Sequence, residues 1–255
     1  MSTRPPELYP LFAAIDTLPG IGPKLAARLS SAGISRPRDL LLTLPVRGIE
    51  RRRVTTIREV DLPATVTVPI TVRRHVPPPS PGGRHRVIVE DAATTFEIVY
   101  FRGGEFVARQ LPVGARKVVS GSLELFNSVG QMPHPTHIVD PAQADGIPEF
   151  EPVYPLATVV PPRIMAKALR AALDRAPDLA EWVDPALLER EGWPSWREAL
   201  EQAHAPERLS DIADTSPDRL RLAYDEFLAY QVTFALARSR LRTRPGHSSQ
   251  ATGEL

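Results

Sequence analysis

Three short stretches hold residue types that can do chemistry. In the first, Leu18-Pro19-Gly20-Ile21-Gly22-Pro23-Lys24, two glycines precede the apolar-periodic run Leu25, Ala26, Leu29. Gly20 and Gly22 let the backbone turn tightly and present N–H groups at a helix start, where an anion is favoured, and Lys24 and Arg28 add positive charge. A turn joining two core helices would use the same glycines. The second stretch is Tyr100-Phe101, followed by Arg102-Gly103-Gly104-Glu105-Phe106. Aromatic residues at a strand end beside an arginine-bearing loop can stack on unpaired nucleobases, at about 1–3 kcal/mol for each base. Strand alternation sends Tyr100 and Phe101 to opposite faces, so one is expected in the core and the other outside. The third is His134-Pro135-Thr136-His137 with Asp140. Imidazoles and carboxylates bind metals, but strand residues three apart face opposite sides and a third firm ligand is lacking, so no metal is expected.

Phosphate-transfer chemistry is missing. A nucleotide motor needs a loop of the form G-x-x-x-x-G-K-[ST], and no stretch has that spacing. Asp225-Glu226, the only Asp-Glu step, lies in a helical pattern and reads as a solvated helix face.

These residues need elements to hold them. Pro5, Pro6 and Pro10 confine a first helix to about Leu11–Asp16. A second begins after the glycine hairpin, and a third runs from Pro37 to a stop at Pro45. Beyond the basic connector Arg51-Arg52-Arg53 the period becomes two: Val66, Val68, Ile70 and Val72 alternate with Thr65, Thr67, Pro69 and Thr71, where Pro69 marks an edge or a bulge. Further strands are expected at 86–90, 95–101, 117–126 and 131–139, with a short helix at 104–110. Five strands with a helix between the third and fourth suit an OB-fold, a barrel that commonly binds single strands. Amphipathic runs follow from Pro161-Pro162, around 195–203, and over 217–242, where Leu220, Ala223, Phe227, Leu228, Ala235 and Leu236 share a side. The fold class is therefore α+β. Its parts are a helical hairpin unit at 1–60, a five-stranded OB barrel at 61–140, a helical connector at 141–242 and a patternless tail at 243–255, expected to be disordered.

Bulk properties narrow the class. With 42% hydrophobic and 24% charged residues, the 255-residue chain is of ordinary globular composition. It has no cysteine, which excludes disulfides and thiolate metal sites and suits a reducing cytoplasm. No secretory leader and no apolar run of membrane-spanning length is evident, so the chain is read as cytoplasmic. The net charge is only +1, yet residues 1–60 hold ten Lys/Arg against five Asp/Glu, and residues 141–217 hold seven against fourteen. A polyanion can dock on the basic side.

Several separated segments resemble one family in order. LPGIGPKLAARL resembles the hairpin of helix-hairpin-helix DNA-binding units, which hold phosphates without reading bases. Together with RPRDLLLTLPVRGIERR, IVYFRGG, Met132-Pro133-His134-Pro135, Val153-Tyr154-Pro155-Leu156 and RLAYDEFLAYQ, it resembles the RecG-type DNA helicases from about Leu11 to Leu241. The resemblance implies a wedge region with an OB barrel, set before two ATP- and Mg²⁺-dependent motor lobes that would lie outside this chain. Such a wedge binds branched DNA, a replication fork or Holliday junction, in recombination and repair. Without the motor the chain is expected to hydrolyse no ATP and to hold no cofactor. Phe101 stands at the family's stacking position, with Tyr100 second and Phe106 in the next loop. Arg51, Arg52, Arg53, Arg73, Arg74, Arg84 and Arg86 are the candidate phosphate contacts, each contributing about 0.9 to the logarithmic salt slope on duplex. The rival reading is a protein-interaction module, for example for a single-strand DNA-binding protein, that touches DNA little; a dispersed hydrolytic site ranks third.

Overall fold

The computed structural model describes residues 4–80, 83–101, 104–156 and 158–242, the side chains of 104 and 105 excepted. The expected disordered tail, 243–255, lies outside these residues. The chain divides into two units. A helical unit takes Met1–Leu44, Leu156–Ala205 and Ile212–Leu255; a barrel unit takes Pro45–Pro155 with Pro206–Asp211. The helical hairpin thus ends near residue 44, and residues 45–60 belong with the barrel, where the sequence reading had placed the boundary at 60.

In the helical unit, 3-10 turns at Pro6–Phe12 and Ile15–Thr17 replace the single short helix expected from Leu11. Pro6 opens the first at a position whose N–H has no partner in any helix, and Pro10 fits inside because so short a 3-10 run needs few backbone donors. Helix α1, Pro23–Ser31, and α2, Pro37–Leu41, each begin on a proline. Helix α4, Pro162–Leu173, buries Met165, Ala168, Leu169 and Ala172, a single stripe at helical spacing. Helix α6, Trp196–His204, is started by a reciprocal cap: the Ser195 amide donates to Glu198 Oε2 at 2.9 Å, and the Glu198 amide donates to Ser195 Oγ at 3.3 Å. Helix α5, Pro185–Glu191, has no buried residue and hence no apolar period to reveal it in the sequence.

Helix α7, Pro217–Arg242, overturns two expectations. Its apolar residues do not seat it: Leu220, Phe227 and Leu236 stand exposed, while Asp218 and Arg221 are buried. Asp225 is no solvated face either. The fully buried Arg221 guanidinium donates to both Glu181 oxygens at 2.9 Å, to Asp225 Oδ2 at 3.0 Å and to the Pro194 carbonyl at 2.9 Å. Trp182 Nε1 donates to Asp225 Oδ1 at 2.8 Å. A cation so far from water requires this set of acceptors, and local pattern cannot supply it because Glu181 lies forty residues upstream.

The barrel unit has the five strands of an OB-fold. Strands β3 (Ala64–Val76), β4 (His85–Glu90) and β5 (Thr95–Tyr100) are joined antiparallel in sequence. Strand β7 (Val129–Pro133) runs parallel to β5 and antiparallel to β6 (Arg116–Phe126). Strand β6 returns to β3 from Ala64↔Leu123 to Thr71↔Arg116 and closes the ring. The expected short helix is α3, Gly104–Gln110, between β5 and β6. Val66, Val68, Ile70, Val72, Val87, Val89, Phe96, Ile98, Val119 and Leu123 fill the interior. Pro69 falls where β3 is paired only with β6, beyond Thr67, where the short pairing of Arg52–Arg53 to β3 ends, and before the pairing to β4 at Thr71, so its missing N–H breaks no ladder on the free side. The strand expected over 131–139 is two, β7 and β8 (His137–Val139), because His134 turns with φ +43°.

Outside the ring, β1 (Arg47–Glu50) pairs with β9 (Phe150–Val153), and β2 (Arg52–Arg53) runs parallel to β3. Gly48 is required in β1: a Cβ there would sit 1.9 Å from the Phe150 ring. Among the described residues no helix is long and apolar enough to cross a membrane.

Candidate nucleic-acid interface

The barrel's candidate contact surface begins where β5 ends. Tyr100 is 9% exposed and turned to the core, and Phe101, the next residue, is 49% exposed, as alternation requires. Burial pushes the Tyr100 phenol up to about 12, so it stays protonated. Two side chains lie close to the Phe101 ring. The His134 imidazole lies 5.1 Å away between centroids, and the Arg84 guanidinium carbon lies 5.4 Å from the Phe101 centroid. The Phe101 amide donates to His134 Nε2 at 3.3 Å, which places the imidazole proton on Nδ1 and ties the left-handed His134 turn to the strand end. Arg84 immediately precedes β4, whose first residue, His85, pairs with Tyr100. Phe106 projects from α3, also exposed. Arg102 lies outside the described residues.

The third stretch is structural. Besides His134, the His137 Nδ1 is within hydrogen-bond distance of Thr136 Oγ1, and Asp140 pairs with Lys117 at 2.6 Å. No group of three or more metal-ligating residues occurs among the described residues.

The arginines separate into those that can reach a ligand and those already engaged. Arg51 is a correction: its side chain is buried and its Nη2 donates to Glu151 and, at 3.4 Å, to Thr136 Oγ1, so it cannot contact a phosphate. Arg53 faces Glu149 at 3.2 Å and donates to the carbonyls of Ala144 and Ile147, holding the segment before β9. Arg73 pairs with Glu90, and Arg86 pairs with Glu97, whose other oxygen accepts from Gln131. Arg52 and Arg74 are exposed and have no ion-pair partner among the described residues. Arg84 lies within cation–π distance of two rings and has no ion-pair partner among the described residues.

Sequence reading missed one aromatic. Phe126, the last residue of β6, is 47% exposed and its ring centroid lies 5.7 Å from the Arg84 guanidinium carbon. The turn that follows, Asn127-Ser128, has φ +50° and +63°, the left-handed pair of a tight hairpin. An Asn-led two-residue turn after an aromatic strand end was the available signal.

In the helical unit, Gly20 has φ +83° and turns the chain into α1, while Gly22 caps that helix. Both glycines and Lys24 are exposed, and Lys24 has no ion-pair partner among the described residues. Arg28 points elsewhere and donates to the Thr158 carbonyl at 3.3 Å. The nearest likeness to a nucleotide loop is this same turn. It lacks a hydroxyl after Lys24, where Leu25 stands, and it starts a helix of nine residues on a proline; a triphosphate with Mg²⁺ does not fit it.

A family model described as a SAM-like helix-hairpin-helix tandem matches residues 12–60, which include α1 and α2. The ATP-dependent DNA helicase RecG of Streptococcus pneumoniae is 23% identical over 242 residues, covering 92% of this chain and 34% of the relative. The RecG of Escherichia coli K12 is 28% identical over 239 residues, covering 88% and 33%. The chain is homologous to the N-terminal region of RecG. It spans about a third of the length of these RecG relatives. A solved structure of RecG bound to a three-way DNA junction shares the fold, at a TM-score of 0.67 and 16% identity over 98% of this chain and 36% of that one.

Proposed function

We propose that this chain is the branched-DNA-binding wedge region of a RecG-like helicase. The observation that carries the reading is Phe101: a large ring held half out of the barrel, with His134 and Arg84 against it. A ring half exposed to water and held by neighbouring side chains can stack on an unpaired base at a branch with little loss of side-chain freedom. The hairpin of the helical unit supplies a different contact. Exposed backbone at Gly20 and Gly22 with Lys24 can hold a phosphate and reads no sequence. Binding is therefore specific for DNA structure and not for base identity. The reading is supported by homology to RecG, a DNA helicase by name, over nearly the whole chain.

ATP and Mg²⁺ belong, on this reading, to parts of RecG that this chain does not cover, and the chain alone hydrolyses no ATP. The role is cytoplasmic, in recombination and repair. The test is fluorescence anisotropy of the purified chain with a labelled three-way fork, a plain duplex and a single strand, each at low and moderate salt. A preference for the fork supports the reading. Equal, negligible binding to all three overturns it and favours a protein-docking module, with a single-strand DNA-binding protein as the partner to try.

A further inference from the structure

The hairpin between β6 and β7 has exposed apolar residues that the barrel does not use. Leu125 is 63% exposed and Phe126 and Val129 lie beside it, all outside, around the Asn127-Ser128 turn. A hairpin tip normally carries polar residues at such positions, because apolar surface left in water forfeits about 25 cal/mol for each Å². The tip does not stand alone. Arg84 lies within cation–π distance of Phe126 and of Phe101, which brings both rings within reach of a single guanidinium.

That guanidinium has no carboxylate partner among the described residues, in contrast to Arg86 two residues on in β4 and Arg73 on β3. An arginine plane within reach of two aromatic rings is chemistry suited to a planar, electron-rich ring attached to an anion. A nucleobase with its phosphate meets that description, since bases stack on aromatic rings and on guanidinium planes while the positive charge attracts the backbone. An acidic peptide would satisfy the charge and leave the ring faces unmatched.

We propose that the Leu125–Val129 hairpin tip is a second base-stacking arm, on which an unpaired nucleobase next to the one at Phe101 is held between the Phe126 ring and the Arg84 guanidinium. The proposal rests on the fork-binding reading of Phe101 and adds a residue pair to it. Arg84 acts as the bridge: it positions both rings in the free protein and turns its plane to the base in the complex.

The experiment uses the 255-residue chain and three-way forks with 2-aminopurine at either of two adjacent unpaired positions beside the branch. Phe126→Ala is expected to weaken fork binding about five- to tenfold, the lower part of the range for a base–aromatic stack, and to restore the fluorescence of one probe. Phe101→Ala is expected to restore the other. Phe126→Trp, which keeps a π-face, is expected to retain binding, and Arg84→Ala to weaken it and loosen both probes. Because Phe126 is exposed, its variants should unfold at the wild-type temperature, which separates lost stacking from lost structure. If Phe126→Ala binds the fork within about twofold of wild type and leaves both probes quenched while Phe101→Ala still weakens binding, the second arm is wrong and the wedge reading stands. If the wild-type chain shows no fork preference, both fall.

Discussion

In the helical unit the residue that pins the longest helix is a buried arginine, and the residues left outside that helix include Phe227, Tyr230, Phe234 and Leu236. In the barrel unit the arrangement is reversed: valines, isoleucines and Phe96 fill the interior, and the outside holds arginines together with Phe101 and Phe126. The contrast carries to the two candidate DNA contacts. The helical hairpin offers backbone amides and one lysine, a contact that salt can screen. The barrel offers ring faces, a contact that salt barely touches. It also shows why an arginine count is a poor footprint. Arg51, Arg53, Arg73, Arg86 and Arg221 all serve the fold, and of the seven arginines proposed from the sequence as phosphate contacts, Arg52, Arg74 and Arg84 remain free of carboxylates among the described residues.

The largest effect should come from the charged anchor. Arg221→Ala leaves Glu181 and the mostly buried Asp225 without their cation, and is expected to cost about 3–5 kcal/mol in urea unfolding of the helical unit. Phe96→Ala is its apolar counterpart and should cost about 3–5 kcal/mol in the barrel. If added salt weakened the barrel more than the helical unit, the contrast between the two interiors would be wrong.

Next in size is the ring contact. Phe101→Ala should cost about 1–3 kcal/mol in fork affinity and leave the salt slope unchanged. Lys24→Ala should do the opposite, lowering the logarithmic salt slope by about 0.9 with little effect on the ratio of fork to duplex affinity. Salt titrations of both variants on the same fork read the difference directly.

Each unit also contains a histidine whose imidazole is lowered by burial, and here the two should behave alike. In the helical unit His204 Nε2 donates to the Leu41 carbonyl at 2.8 Å. Burial, with a smaller push from Arg219, outweighs that carbonyl and lowers the imidazole below its ordinary 6.5. In the barrel His75 Nε2 donates to the Leu111 carbonyl at 2.7 Å and its Nδ1 lies within hydrogen-bond distance of His85 Nε2, at 2.9 Å. Burial, then the neighbouring His75, lowers His85. For an imidazole lowered in the folded state, the unfolded chain takes up the proton first as pH falls. Stability is full above about pH 6.5 and declines as pH drops from there towards the folded-state value. Urea midpoints at pH 7.5 and 5.5 should show the loss, and His204→Gln, which can still donate to Leu41, should reduce it. The smallest effect is expected of Arg73→Ala, about 0–1 kcal/mol, because its ion pair with Glu90 is exposed.

The barrel was legible in the sequence because its strands alternate: Val66, Val68, Ile70 and Val72 name the inward face, and the same rule put one of Tyr100 and Phe101 inside and the other outside, which the structure resolves by burying Tyr100. The helix after β5 was legible from its length and place. What was hidden depends on partners distant in sequence. Arg51 reads as one of three basic neighbours until Glu151, a hundred residues on, is seen beneath it. Asp225 reads as helix surface until Arg221 and Trp182 close over it. The turn at His134 was hidden for a different reason, since a positive φ at histidine has no composition signal. Asp91 is similar: its side chain accepts from the amides of Ala93 and Thr94 at 2.9 and 2.8 Å, doing at this hairpin what a glycine turn does elsewhere.

The most direct test of the wedge reading is the ratio of fork to duplex affinity, measured by anisotropy for the wild-type chain and for Phe101→Ala at one moderate salt concentration. A ratio well above one in the wild type that collapses towards one in the variant is the predicted result. A ratio near one in both would contradict it, and would mean that the exposed ring at the end of β5 does not meet DNA at a branch.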